Sequence, residues 1–177
     1  MKNIALIGFM GTGKTAVGQL LAKKLKMEFF ELDSLIEKKA GKPIPEIFQQ
    51  DGEIAFRELE IEVTRDVAQK QGAVIACGGG IVLNKINIDR LKQGAVIVHL
   101  TATPAKILRR VSIEAGQRPL LEVENPGLAI RELLKFRKPF YERAADITIN
   151  TSKLDIEVVV EQIISRLKED AGFNFQE

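Results

Sequence analysis

The sequence predicts an α/β fold of three layers, α/β/α, in which helices cover both faces of a five-stranded parallel sheet. Two observations carry that expectation. Five short apolar runs, at residues 4–7, 29–32, 73–76, 95–100 and 147–149, alternate with segments of helical periodicity, as parallel strands joined by crossover helices do. The first run also leads at once into GFMGTGKT, Gly8 to Thr15, with a helical pattern over residues 16–25 behind it. In that strand–loop–helix context the spacing G-x-x-x-x-G-K-T has a physical meaning.

In chain order, residues 4–7 form the strand before the loop. This run is shorter than a signal-peptide core and far shorter than a membrane span. The helix over 16–25 follows, and the second strand, at 29–32, runs into Glu31-Leu32-Asp33. After Asp51-Gly52, the apolar positions Phe56, Leu59, Val63 and Val67 fall on one helical face. The third strand, at 73–76, ends in Cys77-Gly78-Gly79-Gly80, and a fourth occupies 95–100. Residues 112–126, SIEAGQRPLLEVENP, break the alternation with Gly116, Pro119 and Pro126, and read as a loop able to move, a lid. The strand at 147–149 and a last helix striped by Ile156, Val159, Ile163 and Leu167 complete the pattern. The tail after Asp170 reads as a frayed end.

Length and composition bound the rest. A chain of 177 residues, 45% apolar and 28% charged, is one domain with a full core, residues 1–177. The formal net charge of +2 is too small to argue for nucleic acid or membrane as a partner. Cys77 is the only cysteine, which rules out an intrachain disulfide and a multi-cysteine metal site and fits a reducing, cytoplasmic setting.

The loop GFMGTGKT is a phosphate cradle. Its glycines let successive backbone N–H groups point inward at phosphate oxygens, and the helix N-terminus adds partial positive charge. Lys14 reaches the β- and γ-phosphates and the Thr15 hydroxyl ligates Mg²⁺. The nucleotide-binding set is Gly11, Thr12, Gly13, Lys14, Thr15 and Ala16, with Arg118 added from outside the loop, whereas Arg110 reads equally as a solvated surface charge. A guanine-reading N-K-x-D would point to a GTPase switch, but the nearest string, Asn84-Lys85-Ile86-Asn87, lacks the final carboxylate.

A second group of residues faces an acceptor. Glu31 and Asp33 are two residues apart, so in an extended segment both carboxylates share one face beside the phosphate loop. One carboxylate near Mg²⁺ and one near a hydroxyl suit phosphoryl transfer to an alcohol. Arg57 sits in DGEIAFRELE, and Gly78, Gly79 and Gly80 end a strand where a ligand can approach the backbone closely. Arg118, in Gln117-Arg118-Pro119-Leu120-Leu121, is placed to neutralise charge on the transferred phosphoryl group as the lid closes. Arg137 lies in KFRKPFYERAAD on a basic helix.

Together, GFMGTGKT, the strand-end carboxylates, DGE-x-x-FR, GGG, RPLL and R-x-P-x-Y resemble the shikimate kinase family, in order and at similar separations, from Ile4 to about Leu167. The resemblance implies a P-loop NTPase fold of the nucleoside-monophosphate-kinase type, with a substrate-binding segment at about 33–61 and a lid at about 112–126. It also implies ATP-dependent phosphorylation of the 3-hydroxyl of shikimate, on the way to chorismate and the aromatic amino acids, by a monomer. Under it, Lys14, Asp33 and Arg118 are catalytic, with Asp33 holding the reacting hydroxyl. Arg57 and Arg137 hold the substrate carboxylate, Gly78, Gly79 and Gly80 contact substrate through the backbone, and Arg110 lies against adenine. Forked guanidinium donors suit a ring carboxylate on chemical grounds alone.

The chain departs from the family in two places. Where the family usually has Asp-x-Asp, it has Glu31-Leu32-Asp33, so Glu31 would support Mg²⁺ through water with one extra methylene. Near the adenine it has Ile149-Asn150-Thr151-Ser152 in place of I/V-D-x-x. Competing expectations are a gluconate kinase, a nucleoside monophosphate kinase needing further arginines for its acceptor, and a non-catalytic nucleotide-binding protein with no need of Asp33 or Arg118.

Overall fold

The computed structural model of the chain describes residues 1–112, 124–169 and 173. Strands β1 (Asn3–Ile7), β2 (Glu28–Glu31), β3 (Ala73–Ala76), β4 (Ala95–Thr101) and β5 (Ile147–Asn150) form one parallel sheet in the order β2-β3-β1-β4-β5. Helices α1 (Lys14–Leu25), α2 (Leu32–Ala40), α3 (Ile44–Gln50), α4 (Gly52–Ala68), α5 (Lys85–Gly94), α6 (Pro104–Ser112), α7 (Pro126–Ala144) and α8 (Ile156–Glu169) cover it. Because β1 is flanked by β3 on one side and β4 on the other, the strand order reverses there. That topology opens a crevice beyond the C-terminal ends of these strands.

Strand alternation divides the core in two. Along β1, Ile4 and Leu6 face α1 and α8 with Val17, Leu21, Val160 and Ile163, whereas Ala5 and Ile7 face the side of α2 to α5 and α7, with Ile36, Phe56, Val63 and Tyr141. All five β1 residues are buried, as expected for the central strand of a sheet covered on both faces. Gly18 of α1 lets the helix approach β2, since a Cβ there would stand 2.6 Å from the Phe29 ring.

Four local features differ from the sequence reading. The helix after the phosphate loop begins at Lys14, two residues earlier than the apolar pattern indicates. Strand β2 stops at Glu31, so Glu31 and Asp33 do not share the face of an extended segment; Asp33 is in the first turn of α2. Helical spacing prevails there because Leu32 and Ile36, four residues apart, both reach the core with no exposed surface. Ile156 is 42% exposed, so the stripe on α8 starts at Val159. Of the tail expected to fray, only Phe173 is among the described residues, and it is buried against the α1/α8 side of the core; the rest lies outside them.

The expected substrate-binding segment, residues 33–61, forms α2, α3 and the first half of α4. The expected lid, residues 112–126, lies for the most part outside the described residues, and Arg118 lies outside them entirely. No helix of the described residues is long and apolar enough to cross a membrane.

Candidate functional site

The site is built at the C-terminal ends of β1, β2 and β3. At the end of β1 the chain turns at Gly8, whose φ is +147°. A Cβ there would lie 2.3 Å from the Leu100 carbonyl oxygen, so only glycine fits between the loop and β4. The loop ends at Gly13, the left-handed N-cap of α1, and no acidic residue occupies the helix's first turn. The N–H groups there and their positive end of the dipole thus face the crevice with no carboxylate from the helix's own first turn. Lys14 Nζ donates to the carbonyls of Gly8 and Phe9, both at 2.9 Å, and arches back over the loop.

Gly11, Gly13, Lys14, Thr15, Ala16, Glu31, Asp33, Gly78, Gly79 and Arg110 line one cavity of about 360 Å³. Among the described residues expected to bind nucleotide, Thr12 is the exception. It is buried and donates its hydroxyl to the Phe9 carbonyl at 2.8 Å, shaping the loop from behind. Arg110 Nη1 donates to the Gly11 carbonyl at 2.9 Å, and Nη2 to the Thr151 carbonyl at 3.2 Å. The guanidinium is therefore tied to the loop at Gly11 and to Thr151, the residue after Asn150, where the chain departs from the family pattern.

Thr15 Oγ1 donates to Glu31 Oε1 at 2.5 Å, and Ser34 Oγ donates to Glu31 Oε2 at 3.0 Å. The longer glutamate arm thus spans from the end of β2 to the phosphate loop, and Ser34 sets its rotation. Mg²⁺ fits this pair: it takes one or two protein oxygens, keeps several waters and completes its shell with phosphate. No cluster of three or more His, Cys, Asp or Glu able to hold a metal occurs among the described residues.

Three successive glycines form the other wall; side chains crowd the Cβ positions of Gly78 and Gly80, and the phosphate-loop backbone, Met10 N at 3.3 Å, crowds that of Gly79. A Cβ on Gly78 would stand 2.9 Å from Asp33 Oδ1 and 3.3 Å from Glu60 Oε2. On Gly79 it would stand 3.7 Å from Arg137 Nη1, and on Gly80 2.5 Å from Arg57 Nη2. Arg57, Gly80 and Arg137 do not line the cavity itself; they pack against its glycine wall. Asp33 from α2, Arg57 and Glu60 from α4 and Arg137 from α7 converge there, although they span more than a hundred residues of sequence.

The electrostatics of the two arginines differ. Arg57 is held by Glu53 at 3.1 Å and Glu60 at 3.0 Å. Burial pushes the Glu60 carboxyl above its ordinary range, against the pull of Arg57 beside it, and Glu60 Oε2 meets no hydrogen-bond partner among the described residues. Arg137 is only 3% exposed, lies over the Phe9 ring at 5.5 Å, and its Nε likewise meets no partner there. A buried guanidinium with unused donors is costly unless an anion arrives to pair with it.

Tyr141, one turn beyond Arg137, donates to the Gly79 carbonyl at 2.5 Å. Burial pushes its phenol up to about 12, so it stays a donor. Cys77 is buried and its thiol is pushed up by that burial, leaving it a packing residue beside the glycines.

Glu60, Tyr141, Ser34 and Thr151 were absent from the sequence-based set. Glu60 was the most accessible of them, since it stands three residues after Arg57 on one helical face. The other three depend on contacts between elements.

The sequence matches the shikimate kinase family over residues 10–168. A shikimate kinase of Thermodesulfovibrio yellowstonii is 50% identical over 164 residues, covering 93% of this chain and 94% of that one. One from Caldanaerobacter subterraneus subsp. tengcongensis is 49% identical over the same length, covering 93% and 95%. Among solved structures, shikimate kinase from Acinetobacter baumannii in complex with shikimate superposes with a TM-score of 0.93 at 37% identity, over 97% of this chain and 96% of that one.

Proposed function

The chain belongs to the shikimate kinase family and phosphorylates shikimate with ATP, and from that premise we propose how its own residues divide the work. The γ-phosphate passes to the 3-hydroxyl of shikimate, giving shikimate 3-phosphate and ADP. The bond from the γ-phosphorus to the bridging oxygen of ADP breaks, the bond to the shikimate oxygen forms, and the hydroxyl proton leaves toward Asp33. The observation that carries this reading is the convergence of Asp33, Glu60, Arg57 and Arg137 on three successive glycines beside the phosphate loop. Two arginine forks and a carboxylate are the complement of a hydroxylated ring acid.

Gly11, Gly13, Lys14, Thr15 and Ala16 hold the phosphates, and Thr12 keeps the loop in shape. Arg110, fixed by Gly11 and Thr151, offers its flat face to adenine. Thr15, with Glu31 beside it, would hold Mg²⁺, which would supply neutralisation of phosphate charge. Arg57 and Arg137 take the shikimate carboxylate, and Glu60 holds Arg57 in the orientation that does so. Gly78, Gly79 and Gly80 let the ring approach the backbone. Because phosphoryl transfer is loose and metaphosphate-like, Asp33 contributes chiefly by orienting the hydroxyl. Arg118 and the lid segment 112–126 complete the donor side on closure. The protein acts as a single-domain monomer in the cytoplasm, with no nucleic-acid or membrane partner.

The regiochemistry is tested by proton–phosphorus NMR of the product formed from Mg-ATP and shikimate. Coupling of the new phosphate to the proton on carbon 3 supports the reading, and coupling to a proton on another ring carbon overturns it.

A further inference from the structure

A second cavity, of about 410 Å³, shares no lining residue with the catalytic crevice. Its sheet side is made by His99 of β4 and Thr148 of β5, direct partners across the parallel ladder and so on one face of the sheet. Its helix side is made by Leu134, Lys138 and Tyr141 of α7, which share a face at helical spacing. The edge strand β5 leaves Thr148 exposed, so α7 walls this part of the sheet without covering it.

The interior is aromatic. His99 stacks on Tyr141 with centroids 4.7 Å apart and planes 15° apart, and Phe9 also lines the space. His99 is 7% exposed, and its Nδ1 meets no hydrogen-bond partner among the described residues. Burial, with the Lys14 charge adding to it, holds this imidazole down at about 4, so it is neutral under ordinary conditions. Among the described residues, the charge at the mouth comes from exposed Lys135 and Lys138, with Glu142 3.7 Å from Lys138.

We propose that this cavity is a second small-molecule site for an aromatic monoanion, a planar apolar body bearing one carboxylate, and that its occupancy is coupled to the shikimate half of the crevice. Side chains on the floor of the cavity touch the glycine wall of the crevice and the arginine packed behind it. Tyr141 stacks on His99 and donates to the Gly79 carbonyl, and Phe9 lines the cavity and lies under the Arg137 guanidinium. A ligand that shifts either ring changes how Gly79 and Arg137 are presented, which is a coupling free energy between two sites. The coupling rests on Gly79 and Arg137 serving shikimate; the binding does not.

His99 is the only histidine of the chain, so its ring protons report on the cavity without assignment. The full-length protein, with ADP and shikimate at saturating concentrations, is titrated with 2-naphthoate while the His99 resonance is followed by proton NMR. A saturable shift is expected. It is expected to need about fivefold more naphthoate in the Lys135→Met, Lys138→Met double variant, as for the loss of exposed charge pairing, and to vanish in Thr148→Trp, where a surface residue fills the space. Absence of a saturable shift, or one unchanged in both variants, overturns the site. Equal binding of uncharged 2-naphthalenemethanol overturns the anion assignment. The coupling is read separately, as the KM for shikimate with and without naphthoate. A change is expected, and an unchanged KM at saturating naphthoate overturns the coupling. Should the protein turn over no shikimate at all, the reading of the crevice fails while the His99 titration still decides the site.

Discussion

The Tyr141 hydroxyl donates a 2.5 Å hydrogen bond to the Gly79 carbonyl, fastening the middle glycine of the acceptor wall to α7, the helix that also carries Arg137. Tyr141→Phe keeps the ring and removes only this donor. We expect KM for shikimate to rise about three- to tenfold, the scale of one neutral hydrogen bond, with KM for ATP unchanged. Steady-state kinetics with each substrate varied in turn checks this, and an equal rise in both would place Tyr141's role in the whole crevice.

Arg137 is buried with donors to spare. Arg137→Lys keeps the charge and loses the fork, so KM for shikimate should rise roughly ten- to a hundredfold. Nucleotide affinity, measured by calorimetry with ADP, should not move. A loss of ADP binding would contradict the assignment of Arg137 to the acceptor.

Glu60 gives a pH dependence with a defined sign. Burial raises its carboxyl in the folded state above the ordinary value of 4.5. Between that value and the raised one the folded state binds more protons than the unfolded, so stability falls as pH rises through this window and stays lower above it. Glu60→Gln removes that term. The melting temperature of the variant relative to the wild type should therefore increase as pH rises from about 4.5, as thermal melts across pH will show. At the same time KM for shikimate should rise, because Arg57 loses its buried partner. A difference in melting temperature that is flat with pH would contradict the account of Glu60.

Glu31→Asp restores the shorter carboxylate usual in the family, drawing it back from Thr15 by about one methylene, ~1.5 Å. Because Mg²⁺ tolerates water between itself and a carboxylate, kcat at saturating Mg-ATP should stay within about threefold. A loss of more than about tenfold, ~1.4 kcal/mol, would mean that Ser34 and Thr15 have become dependent on the longer arm.

The donor half was legible because it is local. Eight consecutive residues, from Gly8 to Thr15, carry both the turn geometry and the chemistry, and the structure differs only in starting α1 at Lys14. The sheet was legible as apolar runs for the same reason. Glu31 and Asp33 show where local reading fails: FFELD looks extended by composition, and only the packing of Leu32 and Ile36 together turns it helical. Glu60 reads as an ordinary surface charge until Arg57 and Gly78 are brought to it. R-x-P-x-Y marks Arg137 and Tyr141 together, but their contacts with Phe9 and Gly79 arise only as α7 folds back over β4 and the glycines.

The most direct test of the central claim, that the crevice joins a nucleotide to a carboxylated ring polyol, is ADP release from Mg-ATP in the presence of shikimate, gluconate or AMP in turn. The account predicts saturable release with shikimate, and release no faster than the background with water for the other two. Turnover with gluconate or AMP exceeding that with shikimate, or no acceleration by shikimate at all, would contradict it.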